Sequence, residues 1–150
     1  MLQLVAFMVR LRFDGAMDVH LSGDSVGFLT GVLDWTVSVP PMVLIAFGVA
    51  RLAKSEARLL DVALAVIGAR WVLMIVGLLT LGIPRDISVT NPVLLVFALA
   101  MLPLLGLYFV NLFRSYRTAT GLEGGRLWLA YLTTLIVSEA LSKLALVLIG

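Results

Sequence analysis

The chain alternates long apolar runs with short polar connections. A helix needs about 20 apolar residues to cross a bilayer core. Four runs reach that length: Val26 to Ala50, Leu59 to Ile83, Pro92 to Phe113 and Leu127 to Gly150. The opening stretch, MLQLVAFMV over 1–9, is too short to span alone. It reads as a short interfacial helix or as the remainder of a fifth, truncated one. No small-residue cleavage site follows it, so a cleavable signal peptide is not expected. The connections RLAKSEAR, PRDISVTN and RSYRTATGLEGGR are short, so neighbouring helices must run antiparallel. Pro84 and Pro92 bracket the second connection, and Gly121, Gly124 and Gly125 loosen the third. The expected fold is all-α, a single polytopic transmembrane bundle of four full spans plus the short N-terminal helix.

Composition strengthens this picture. The chain has 150 residues, 61% hydrophobic and only 13% charged. Its mean hydropathy is +1.10. A soluble domain is about half apolar and a quarter charged, and a chain this short has too little interior to hide the excess. The lipid bilayer is the partner that composition demands. The formal net charge of +2 comes without a Lys/Arg-rich run, so nucleic acid is not an expected partner. Cysteine is absent, which removes disulfides, thiolate metal sites and cysteine nucleophiles.

Charge sets an orientation. Arg51, Lys54 and Arg58 lie in the first connection, and Arg114, Arg117 and Arg126 in the third. The opposite side holds Arg10, Arg12 and Arg85 among Asp14, Asp18, Asp24 and Asp86. The positive-inside rule places the two basic connections in the cytoplasm, as topology signals or lipid-headgroup contacts. The C-terminus is then outside, with the polar segment from Arg10 to Ser25.

Four charges fall inside the spans: Asp34, Arg70, Glu139 and Lys143. Each costs about 2.5–3.5 kcal/mol at mid-bilayer on insertion scales, and less when paired toward the bundle interior. At about 1.5 Å per residue, Arg70 lies roughly 16 Å and Glu139 roughly 18 Å from the cytoplasmic ends of their spans. Asp34 and Lys143 match each other one turn nearer the outside. Contacts Arg70–Glu139 and Asp34–Lys143 are therefore expected. Glu139 and Lys143 are also four apart and able to pair on one helix face. Such a cluster either relays a proton or an ion, or acts as a structural network that fixes helix neighbours. Its two acids and two bases suit the structural network.

Gly27 and Gly31, and Ser138 and Ser142, stand four apart and favour close helix packing. Pro40 and Pro41 predict a kink in the first span, and Pro103 a milder bend in the third. Trp128 and Tyr131 read as interfacial anchors. His20, with Asp14, Asp18 and Asp24, is not a recognisable metal set and reads as part of a solvated loop. The P-loop pattern is absent, and no histidine inside a span stands ready to activate a serine. No metal, cofactor or enzymatic activity is expected.

Three stretches resemble the membrane domain of the Yip (Ypt-interacting protein) family in its bacterial form. They are EARLLDVALAVIGARWVLMIVGLLTLGIP, LLGLYFVNLFRSYRTATGLEGGRLWLAYLTTLIVSEALSKLAL and, for the outer loop, RFDGAMDVHL. The resemblance implies five transmembrane helices, with MLQLVAFMV as the end of the first. It also implies a cytoplasmic N-terminus, an outer C-terminus and residence in the inner (plasma) membrane. Eukaryotic members act in vesicle traffic with small GTPases, but their Asp-Leu-Tyr-Gly-Pro motif is absent here. After Ala69-Arg70 the chain reads Trp71-Val72, where bacterial relatives often place a proline. The expectation is a non-enzymatic membrane protein that binds lipids, other membrane proteins or a second copy of itself. The alternative is a small oligomeric transporter or channel built on the charge cluster.

Overall fold

A computed structural model describes residues 11–13, 19–21, 28–80 and 91–149. The expected partial helix over 1–9 and Gly27 lie outside the described residues, as do the surroundings of Gly31 and the side chain of Asp34. The described elements are strands β1 (Leu11–Phe13) and β2 (Val19–Leu21), then helices α1 (Phe28–Leu52), α2 (Leu59–Ala69), α3 (Trp71–Thr80), α4 (Pro92–Thr120) and α5 (Gly124–Ile149). Three of the helices, α1, α4 and α5, are long and apolar enough to cross a membrane. Such helices mark a membrane protein.

The second apolar stretch corrects the expectation of four full spans. It is two short helices that meet at Arg70. There Arg70 N–H donates to the Ile67 carbonyl at 3.2 Å and Leu73 N–H to the Arg70 carbonyl at 3.0 Å. These are three-residue steps, the tighter 3₁₀ pattern that interrupts an α-helix.

The third span is longer than expected. Asn91 caps α4 by accepting Val93 N–H at 3.0 Å, and Pro92 occupies the first turn, where its missing N–H costs nothing. The helix then runs beyond Phe113 to Thr120, because Leu112, Tyr116 and Thr120 continue its buried face. It ends at Gly121, whose φ of 65° is the left-handed conformation a helix stop requires. Arg114 and Arg117 therefore lie on a helix, as do Arg51 and Arg126, while Lys54 and Arg58 belong to the first connection. The α4–α5 connection is only Gly121, Leu122 and Glu123.

A two-stranded ribbon over 11–13 and 19–21 accompanies the helices. Leu11 pairs with Leu21, Arg12 with His20 and Phe13 with Val19 in a small antiparallel ribbon, which packs on α1. The helix α1 continues through Pro40 and Pro41.

The packing falls into two halves. The α1 helix lies chiefly against α5, and α2 and α3 chiefly against α4; contacts between α1 and α2, and a few between α4 and α5, link the halves. On α5 the seam is Leu127, Tyr131, Thr134, Ser138 and Ser142, at steps of four and three. Met42, Ala46 and Ala50 form the buried side of α1. Small residues on both helices allow close approach. The outward faces are apolar, as at Leu44, Leu95, Leu99, Leu129, Ile136 and Val147, the reverse of what water would tolerate in a large patch.

Candidate functional site in the helix core

Arg70 is only 3% exposed, at the point where the second apolar stretch breaks. Its neighbours Ala69, Val72 and Leu73 are buried with it. The α2 helix packs on α4, which brings Tyr108 within electrostatic reach of the guanidinium. Glu139 on α5 lies within reach of the same phenol. Glu139 binds Lys143 at 3.3 Å, one turn along α5. Arg70 at the α2–α3 junction, Tyr108 on α4 and Glu139 on α5 thus contribute to one polar locus.

The Tyr108 hydroxyl is buried and, among the described residues, stands without a hydrogen-bond partner. An unmade bond of this kind costs about 1–3 kcal/mol. The buried hydroxyls of Ser38, Thr134, Ser138 and Ser142 are satisfied within their own helices. Ser138 Oγ donates to the Leu135 carbonyl at 3.1 Å, Ser142 Oγ to Glu139 at 3.0 Å and Thr134 Oγ1 to Ala130 at 2.8 Å. Ser38 Oγ makes a longer bond to the Trp35 carbonyl at 3.4 Å.

The expected Asp34–Lys143 contact depends on the Asp34 side chain, which lies outside the described residues. Tyr131 corrects its reading as an interfacial anchor: it is buried, and its hydroxyl donates to the Phe109 carbonyl at 3.0 Å. Trp128 stays exposed. It joins Phe113 at 4.5 Å and Tyr131 at 6.5 Å between ring centroids.

Two polar side chains missed in the sequence close the connection end. The Tyr116 hydroxyl donates to the Ala46 carbonyl at 3.1 Å, tying α4 to α1. Ser55 Oγ donates to the Thr120 carbonyl at 2.6 Å and accepts Ala57 N–H at 3.1 Å. A signal for the tyrosines was present: Tyr108, Leu112, Tyr116 and Thr120 recur every four residues, one helix face.

Comparison with protein-family models, curated proteins and solved structures gives no match.

Chemically, the locus offers a fixed cation, a phenol and a carboxylate with an ammonium partner. These groups can order one another, or hold a water or a small ion. They do not supply a nucleophile with a general base. Among the described residues no cluster has the ligands for a metal.

Proposed function

We propose that this chain is a multi-pass membrane protein that works by binding lipids or other membrane proteins, without catalysis, in a Yip-like architecture. Its basic end, with the α1–α2 and α4–α5 connections, lies in the cytoplasm, and its C-terminus outside. The observation that carries this reading is the sorting of side chains. The outward faces of three spanning helices are apolar, while the polar groups collect inside on Arg70, Tyr108 and Glu139. That arrangement specifies helix neighbours and leaves the outer surface for contact with lipid or protein.

A second reading is a small oligomeric transporter or channel that uses Asp34, Arg70, Glu139 and Lys143. One feature favours it: the helix break at Arg70 beside an unpartnered Tyr108 hydroxyl. Broken helices at membrane depth persist where they are buried in protein or line a cavity, and transporters bind ions at such breaks.

Charge reversal separates the two. Arg70→Glu and Glu139→Arg singly should lower the yield of membrane-extracted protein and its thermal stability, and the double swap should restore both. Singles that fold like wild type but alter ion or proton flux in proteoliposomes would support the transporter instead.

A further inference from the structure

We propose that the groove between the start of α2 and the end of α4 seats the head group of phosphatidylethanolamine. The groove is about 510 Å³, and Asp61, Leu64, Arg114, Ser115 and Thr118 line it. Asp61 and Arg114 are both exposed, and among the described residues neither has an ion-pair partner. Two opposite charges that share a groove without pairing suit a ligand with the complementary pair. A phosphoethanolamine group is such a ligand: its phosphate accepts from the Arg114 guanidinium, and its ammonium donates to the Asp61 carboxylate.

The hydroxyls fit the same assignment. Thr118 Oγ1 donates to the Arg114 carbonyl at 3.0 Å, which leaves its lone pairs for an ammonium N–H. The Ser115 hydroxyl has no partner among the described residues and is able to donate to phosphate.

Depth selects a lipid over a soluble ligand. Arg114 follows Phe113, which stacks on the exposed Trp128, and aromatic residues of this kind sit at head-group level. Farther from this end, helical spacing carries the Asp61 face to the exposed Leu64 and Gly68. It carries the Arg114 face to the exposed Val110 and Leu107. The space beside Gly68 is open, so an acyl chain has an apolar path below the head group.

Chemistry selects among lipids. Choline has no N–H to give Asp61, and quaternary ammonium groups favour aromatic cages; among the described residues no aromatic side chain lines the groove. The phosphatidylglycerol head group brings no cation to Asp61.

The proposal rests on the membrane reading, and the two fail separately. Alkaline carbonate washing that strips the chain from membranes would end the membrane reading itself. Retention in the membrane puts the question to lipid binding alone. The full chain, purified in detergent, is offered equal amounts of phosphatidylethanolamine, phosphatidylcholine and phosphatidylglycerol, and bound lipid is read by native mass spectrometry. Phosphatidylethanolamine should be retained about tenfold over phosphatidylcholine, the factor given by about one charge-assisted hydrogen bond. Asp61→Asn should abolish that preference, Asp61→Glu should keep it, and Arg114→Gln should weaken retention of all three lipids. Thermal unfolding of each variant should match wild type, since both residues are at the surface. Equal retention of the ethanolamine and choline lipids overturns the proposal, as does strongest retention of phosphatidylglycerol. An undiminished preference in Asp61→Asn overturns it as well.

Discussion

The two halves of the bundle solve the same problem with opposite means. Where α1 meets α5, both helices run unbroken and the contact is built from Ala46, Ala50, Ser138 and Ser142. Each buried serine on α5 returns its proton to its own helix. Where α2 and α3 meet α4, a guanidinium is buried, the helix is broken beside it and a tyrosine hydroxyl is left over. The first half needs only close approach. The second must accommodate a charge, which lipid would otherwise penalise by several kcal/mol. The contrast teaches that polar groups can be buried along unbroken helices where each hydroxyl bonds its own backbone, whereas the buried charge coincides with a break.

The sharpest way to break the comparison is Arg70→Glu. Disrupting a buried charge network by removing or reversing one member costs about 3–5 kcal/mol, and should show as loss of folded yield. Next comes the α1–α5 seam, where charge plays no part. Ser142→Leu forces a branched side chain into a fully buried position and should cost about 1–3 kcal/mol by overpacking, read as a lower thermal midpoint in detergent. A serine that tolerates leucine would show that the helices are not closely apposed there. The smallest effects come from a matched pair of tyrosines. Tyr116→Phe removes the bond to the Ala46 carbonyl and should destabilise by about 0.5–1.5 kcal/mol. Tyr108→Phe removes a hydroxyl that has no partner among the described residues and should be neutral or mildly stabilising. Equal losses in the two variants would mean that Tyr108 is satisfied, for instance by an internal water.

Much of this was legible in sequence because lipid imposes coarse rules. Long apolar runs located α1, α4 and α5 to within a few residues, except at the far end of α4. That end was missed because a helix need not stop where the hydrocarbon stops. At about 1.5 Å per residue, its 29 residues span roughly 43 Å, more than a hydrocarbon core of about 30 Å. Hence Arg114 and Arg117, taken for a connection, decorate a helix whose other face buries Tyr116.

The break at Arg70 was hidden for a different reason. Neither Ala69 nor Trp71 is a helix breaker, and the one weak local signal, Gly68, is of a kind helices tolerate. The ribbon was legible but unread: Leu11-Arg12-Phe13 and Val19-His20-Leu21 each alternate apolar, polar, apolar, the strand period. Of the core locus, Arg70, Glu139 and Lys143 stood out because charge in an apolar run is conspicuous. Tyr108 did not, since a tyrosine in a span looks like one more aromatic.

The central claim is a helical bundle that crosses the membrane with its two short connections on the cytoplasmic side. The absence of native cysteine makes single-cysteine labelling a clean probe. Glu56→Cys and Glu123→Cys report the two connections, and Asn91→Cys the start of α4 at the other end. With a membrane-impermeant maleimide on intact cells, Asn91→Cys should label, whereas Glu56→Cys and Glu123→Cys should label only after the membrane is opened. Labelling of the two connections on opposite sides, or of all three sites in intact cells, would contradict the account.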